Sequence, residues 1–252
     1  MAPKPLSGWR VLVPRGGKWG DGVASALRTR GATPVIAPMI NFARADNVAA
    51  LANAMHELQD GLFDWLVITS ATTVDVLMSL GVRIPGSTKI AAIGETTAAA
   101  VSLAGYHVDF VPLVDNSVRG ILKEWSASQI AGRVLIPQSD IADPTLVAGL
   151  ARLQLQVEFV TAYRTVAVAV AADIKADVAS GRIGAILVSS GSVARQIAAQ
   201  LAPLTADTIV ACIGPRTAFD ARAAGLRVDL IAGDRSTEAL IEALVDYASE
   251  AN

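Results

Sequence analysis

Asp64-Trp65-Leu66-Val67-Ile68-Thr69-Ser70 returns about 120 residues later as Gly184-Ala185-Ile186-Leu187-Val188-Ser189-Ser190. Two further stretches return at the same offset. Ile90-Ala91-Ala92-Ile93-Gly94-Glu95-Thr96-Thr97-Ala98 is answered by Val210-Ala211-Cys212-Ile213-Gly214-Pro215-Arg216-Thr217-Ala218. Ala104-Gly105-Tyr106-His107-Val108-Asp109 is answered by Ala224-Gly225-Leu226-Arg227-Val228-Asp229. A repeat of this length is a whole domain, far beyond the ~20–50 residues of a solenoid unit. The 252 residues therefore divide into two similar domains, and two such domains facing one another predict a cleft for a ligand.

Outward from the repeat, short Val-, Ile- and Leu-rich runs alternate with Ala-rich helical patterns. The predicted strands are Arg10–Val13, Pro34–Ala37, Trp65–Thr69, Lys89–Ile93 and Val108–Val111. The second half gives Arg133–Ile136, Val157–Thr161, Ala185–Ser189, Ile209–Ile213 and Val228–Ile231. They are almost continuously apolar, as strands covered on both faces of a parallel sheet must be. Val48, Leu51, Ala52, Met55 and Leu58 fall on one helical face, and Val118, Ile121, Leu122 and Trp125 on another. Strand-helix-strand alternation predicts an α/β protein with two similar doubly wound parallel-sheet domains of five strands each.

The boundary between the domains is open at this level. Pro38-Met39-Ile40-Asn41-Phe42 and Tyr163-Arg164-Thr165-Val166-Ala167-Val168 prolong two strands well past the ~5–6 residues a core strand needs. Either the domains follow in series and split near residue 127, or the first two strands of each repeat complete the partner's sheet. In the second case the two extensions form a crossover ribbon.

Composition narrows the chemistry. A net charge of −2 gives no general attraction to nucleic acid or membrane, and the single cysteine, in an apolar run at Cys212, reads as a core residue. The N-terminus Met-Ala-Pro-Lys-Pro-Leu-Ser-Gly has no apolar signal core, and no run approaches the ~20 residues of a membrane span, so the chain is expected to be soluble and cytoplasmic. His56 and His107 lack neighbours at ligand spacing, so no metal site is expected. No G-x-S-x-G elbow occurs. Gly16-Gly17-Lys18-Trp19-Gly20-Asp21-Gly22 lacks the ordered ending of a phosphate loop, so no nucleotide is expected either.

What remains is a strand-to-helix junction used four times: Thr69-Ser70, Ser189-Ser190, Gly94-Glu95-Thr96-Thr97 and Gly214-Pro215-Arg216-Thr217. Ser and Thr there serve as helix N-caps. The same junctions lie at the carboxyl edge of a doubly wound sheet, where ligands bind, and offer free N–H groups to carboxylate or phosphate. Arg15, Lys18, Arg44, Arg119, Arg164, Arg195, Arg216 and Arg235 lie in or near loops and can add positive charge.

These junctions, the Gly-x-x-Thr-Ala motifs at Gly94 and Gly214, and Ala162-Tyr163-Arg164-Thr165 resemble uroporphyrinogen-III synthase. So does the order Val11-Leu12-Val13-Pro14-Arg15, the Thr69-Ser70 turn, then Val134-Leu135-Ile136-Pro137. The resemblance covers nearly the whole chain. Two departures are Ser70-Ala71-Thr72-Thr73, where Asn-Gly is commoner, and Gln138-Ser139-Asp140, which lacks the family's arginine. The resemblance implies two α/β domains joined by a two-stranded β-ladder, residues 1–38 with 169–252 and residues 41–162, with linkers near 38–41 and 162–168.

It also implies a monomeric lyase of porphyrin (heme) biosynthesis that closes the linear tetrapyrrole hydroxymethylbilane, with loss of water and inversion of ring D, without metal or cofactor. Tyr163 matches the family's tyrosine and is the implied catalytic residue, placed on a linker facing the cleft. Thr97 and Thr217 match family threonines. With Thr69, Ser70, Ser189, Ser190, Ser192, Gly214 and Arg15 they make up the expected substrate-binding set. The alternative outside catalysis is a cytoplasmic two-domain protein that only binds or senses a small polar ligand. A nucleotide-dependent glycosyl or phosphoryl transferase is a third reading, marked by dependence on added nucleotide or metal.

Overall fold

The Ile90 N–H donates to the Asp109 carboxylate at 2.8 Å, and 120 residues on the Val210 N–H donates to Asp229 at 2.8 Å. The buried Thr88 hydroxyl donates to the Phe63 carbonyl at 2.8 Å, and that of Thr208 to the Ile183 carbonyl at 3.0 Å. The repeat is thus a repeat of hydrogen bonds as well as of letters. The computed structural model describes residues 4–113, 115, 117–127, 131–234 and 236–250. The chain forms two units, one built from both ends (through Asn41 and from Val166 onward), the other from Phe42 to Thr165.

The first unit begins with β1 (Arg10–Val13), α1 (Gly17–Thr29) and β2 (Thr33–Ile36), and β3 (Ile40–Arg44) leads into the second. There follow α2 (Val48–Gln59), β4 (Trp65–Ile68), α3 (Ala71–Ser79), β5 (Lys89–Ala92) and α4 (Glu95–Leu103). Next come α5 (Val118–Ala127), β6 (Arg133–Ser139) and α6 (Thr145–Arg152). β7 (Gln156–Ala167) returns the chain to the first unit. That unit is completed by α7 (Ala172–Ala179), β8 (Ala185–Val188), α8 (Gly191–Leu201), β9 (Ile209–Cys212), α9 (Pro215–Ala223), β10 (Leu230–Ile231) and α10 (Thr237–Glu250).

The first sheet runs β10-β9-β8-β1-β2, all parallel. The second runs β3-β7-β6-β4-β5, with β7, β6, β4 and β5 parallel. β1 and β2 therefore pair with strands of the second repeat, and β6 and β7 with strands of the first. β3 and β7, the two segments that pass between units, are neighbours in the order.

Alternation along each strand sends side chains to two separate cores. Leu12, Ile186, Val188, Val210 and Cys212 pack against α7, α8 and α9. Val11, Val13, Ala185, Leu187 and Ala211 pack against α1 and α10. In the second unit Leu66, Ile68, Ile90 and Leu135 meet α2, α3 and α4, whereas Trp65, Val67, Ala91, Val134 and Ile136 meet α5 and α6. Burial on both faces is why these runs do not alternate in the sequence. Trp125 is buried with its ring 5.1 Å from Trp65 and 5.9 Å from Phe110, and its Nε1–H has no acceptor among the described residues.

Two expectations are corrected. The buried face of α2 is Leu51, Ala54, Met55 and Leu58, while Val48 and Ala52 are exposed. Val48 opens the helix, and Ala52 lies about 100° round from Leu51, enough to turn it to the outside. Val108–Val111 makes only an isolated parallel bridge, Phe110 to Ala91. Pro112 follows and has no N–H to extend a ladder.

The matched threonines give a test of the internal symmetry. Thr88→Val and Thr208→Val each remove a buried hydroxyl donor while keeping side-chain shape. Each is expected to cost about 1–2 kcal/mol in urea unfolding. A loss at one position and none at the other would show that the two bonds are not equivalent.

Candidate functional site

A parallel strand followed by a helix presents that helix's first N–H groups at the strand's carboxyl end. Where successive connections leave a sheet in opposite directions, neighbouring helices diverge and a crevice opens. In the second unit this switch falls between β4 and β6, and in the first between β8 and β1. The residues at these ends are Thr69 and Ser70 after β4, Ser139 closing β6, Ser189 and Ser190 after β8, and Pro14 and Arg15 after β1.

In the second unit Ser70 caps α3, its Oγ accepting from the Thr73 N–H at 3.2 Å. The same oxygen is hydrogen-bonded to Thr73 Oγ1 at 3.0 Å and to the Tyr163 hydroxyl at 3.1 Å. Tyr163 stands on β7, paired in register with Ser139 on β6, so its hydroxyl reaches past the end of β6 to the junction after β4. Tyr163 lies within β7, the strand that passes from one unit to the other, close to the boundary at Thr165. It is 7 % exposed, belongs to the core with α2, α3 and α4, and meets Phe42 edge-on at 5.2 Å. β7 stays a strand for 12 residues and so carries Tyr163 within the sheet.

The β6 loop is held to β7 by several bonds. Asp140 N–H donates to the Tyr163 carbonyl at 3.1 Å, Thr165 N–H donates to Asp140 Oδ1 at 2.9 Å, and the Ser139 and Thr165 hydroxyls are 2.9 Å apart. One junction over, Gly94 precedes α4 at φ +88°, a conformation that favours glycine, and Thr97 is buried in the first turn.

In the first unit Ser190 caps α8, accepting from the Val193 N–H at 3.4 Å and pairing with Ser192 Oγ at 3.0 Å. The Ser189 Oγ is buried with no partner among the described residues. Gly214 precedes α9 with extended backbone, Pro215 opens the helix, and Thr217 is buried in its first turn. Arg15 lies over the Trp19 ring at 5.4 Å. The Asp220 carboxylate packs against Gly191, and a Cβ there would require it to shift. Asp220 pairs with Arg216 Nε at 3.2 Å. Each sheet edge thus carries its own part of the expected set, and the bond between Ser70 and Tyr163 joins two of its members directly.

Other expected residues have structural partners or lie elsewhere. Arg164 bonds Asp46 at 3.0 Å and the Arg44 carbonyl at 3.1 Å. Lys18 and Arg119 lie in the first turns of α1 and α5, Arg195 is exposed on α8, and Arg235 lies outside the described residues. The glycine-rich stretch from Gly16 is the start of α1, and Gly20 packs under the Arg15 carbonyl. Both histidines are exposed, and no group of three or more His, Cys, Asp or Glu placed to hold a metal occurs among the described residues. No helix there is long and apolar enough to cross a membrane. Cys212 is fully buried, and burial pushes its thiol up to about 11. Thr73 is the residue that sequence reasoning did not assign. Its signal was a threonine three residues after a capping serine, where the other copy has Val193.

Comparison with known proteins follows the same line. The family described as Uroporphyrinogen-III synthase HemD matches residues 21–242. A porphyrin biosynthesis protein HemD from Ruminiclostridium josui is 25% identical over 258 residues, covering 98% of this chain and 49% of that protein. The chain therefore spans about half the length of this curated relative. A mutant uroporphyrinogen III synthase from the extreme thermophile Thermus thermophilus superposes with a TM-score of 0.70 at 18% identity, covering 97% of this chain and 100% of that one. A uroporphyrinogen-III synthetase from Helicobacter pylori gives 0.64 at 15%, covering 95% and 99%. At such identities the superpositions speak for the fold.

Two outcomes test the site chemistry. Ser189→Ala removes a buried oxygen that bonds nothing in the described protein, so it is expected to raise stability, by up to about 1 kcal/mol in denaturant unfolding. A loss of that size would mean the hydroxyl already has a structural partner. For Cys212 the raised thiol sets a sign. The unfolded chain ionises it from about pH 9 while the folded protein holds the proton to about 11, so its contribution to stability is lost as pH rises through that window. Cys212→Ala is expected to flatten the fall in stability between those pH values, and identical profiles would refute the assignment.

Proposed function

The chain belongs to the uroporphyrinogen-III synthase family, and from this premise we propose that it closes hydroxymethylbilane to uroporphyrinogen III, losing water and inverting ring D, as a cytoplasmic monomer without a cofactor. The observation that carries the reading is the Tyr163 hydroxyl hydrogen-bonded to Ser70 at the switch point of a parallel sheet. The substrate is rich in carboxylates. Helix starts after β4, β5, β8 and β9 supply amides and hydroxyls suited to them, through Thr69, Ser70 and Thr97 in one unit and Ser189, Ser190, Ser192, Gly214 and Thr217 in the other. Arg15 adds positive charge at the end of β1.

In the proposed step the Tyr163 phenol gives its proton to the departing hydroxyl as the C–O bond of the hydroxymethyl group breaks. Water leaves, the adjoining pyrrole N–H proton returns to the phenolate, and a neutral azafulvene remains. An electron-rich pyrrole carbon attacks its exocyclic carbon. The attacking carbon becomes a spiro centre as the azafulvene nitrogen takes up a proton; its older bond to the neighbouring methylene then breaks, giving a second azafulvene. The free α-carbon of the last ring attacks that azafulvene, and the proton it loses goes to the azafulvene nitrogen, restoring aromaticity with the ring inverted. The azafulvene is reactive enough to need no nucleophile from the protein. Free bilane closes to the uninverted isomer, so the protein's contribution is to hold geometry as much as to move a proton.

The direct test supplies fresh hydroxymethylbilane and separates type I from type III product. Formation of type III above the buffer blank is expected, and chelator dialysis should leave it intact. Tight bilane binding without turnover would instead favour a binding or regulatory protein. Tyr163→Phe keeps the packed ring and removes the hydroxyl, and is expected to slow turnover by ~10–10⁴-fold. Product formed on the variant should remain type III. Near-normal turnover would reduce Tyr163 to a packing residue.

A further inference from the structure

Thr73 lies in the first turn of α3 with its side chain fully buried, and its hydroxyl meets Ser70 Oγ at 3.0 Å. Among the described residues this is the hydrogen bond of the Thr73 hydroxyl, so its proton finds an acceptor only if it is donated to Ser70. A serine hydroxyl has one proton and two lone pairs. Ser70 Oγ accepts from the Thr73 N–H on one lone pair and from the Thr73 hydroxyl on the other. Both lone pairs are then used, and the serine's own proton is left for Tyr163 Oη at 3.1 Å. The phenol becomes an acceptor from Ser70, and its proton is free for another partner. Either polarity ends the chain in one undonated proton: the opposite one leaves it on Thr73, which is 0 % exposed, whereas this one leaves it on Tyr163, which is 7 % exposed and can still meet solvent or a ligand.

The second copy of the junction is an internal control. Ser190 caps α8 as Ser70 caps α3, and the residue in the place of Thr73 is Val193, also fully buried. The helix starts without a hydroxyl there, so the fold does not require one. The hydroxyl is present only in the unit that carries Tyr163.

Resting on the reading of Tyr163 as the proton donor, we propose that Thr73 is a positioning residue, which fixes the polarity of the chain Thr73→Ser70→Tyr163 so that the phenol proton points to the leaving hydroxyl. Chains aligned in one sense also strengthen one another.

The experiment measures hydroxymethylbilane turnover for Thr73→Val, Thr73→Ala and Thr73→Ser, each alone and with Tyr163→Phe. Thr73→Val places the second copy's residue in the first and is expected to fold; Thr73→Ala serves if packing fails. Both should lower kcat by about 5–30-fold, the effect of one misdirected hydrogen bond, with KM changed less than about twofold. Thr73→Ser should restore most of the rate. With Tyr163→Phe present, the Thr73 variants should lose nothing more. Normal kcat in Thr73→Val and Thr73→Ala beside a slow Tyr163→Phe overturns the polarity and leaves the role of Tyr163 standing. A loss that persists undiminished on the Tyr163→Phe background overturns it as well, because Thr73 would then act elsewhere. Normal turnover of Tyr163→Phe itself removes the reading on which the inference rests.

Discussion

β1, β8 and β9 in one sheet and β4 and β6 in the other are covered on both faces, and this constraint bears on where chemistry can sit. Leu12 points into one core and Val11 and Val13 into the other, and Leu135 is set against Val134 and Ile136 in the same way. With both faces closed by helices, the sheets are open only at strand ends. At the carboxyl ends helices begin, bringing uncommitted N–H groups and the positive end of their dipoles. The covering helices then open the crevice. α3, after β4, packs into one core of its unit and α6, after β6, into the other. α8 and α1 part in the same manner after β8 and β1. The hydroxyls of Ser70, Tyr163, Ser189 and Ser190 stand at these partings.

Much of this is legible in the sequence because it is local. Continuous apolar runs closed by Ser, Thr or Gly mark buried parallel strands and the helix starts after them, and the repeat of Thr69-Ser70 as Ser189-Ser190 marks the carboxyl edges. Non-local features stayed hidden. Which sheet β1 and β6 join is a choice between equivalent pairings, since either copy offers a buried parallel strand of the same pattern. Spacing alone puts Val48 and Ala52 on the buried face of α2, yet both are exposed, because Ala is compatible with either side of a helix and Val48 sits in an opening turn that the core does not reach. The contact of Tyr163 with Ser70 joins residues 93 positions apart through a strand lying between them, and no local spacing announces it. Thr73 was equally hidden, since a threonine beside a capping serine reads as part of the cap until its hydroxyl is seen to be buried.

The two copies diverge where their backbones agree most closely. Ser70 and Ser190 occupy the same cap, yet around Ser70 lie Thr73 and Tyr163, whereas around Ser190 lie Ser192, the apolar Val193 and the unpartnered Ser189. Gly191 stands where the other copy has Ala71; the carboxylate of Asp220 packs against it, and the other copy has Ala100 in the place of Asp220. A hydroxyl whose lone pairs and proton are all committed can have only one polarity, which suits directing a proton. A buried hydroxyl committed to nothing suits accepting a ligand group, because the cost of burying it is offset only when a partner arrives. The two strand ends share one packing and differ in the hydroxyls set around their capping serines.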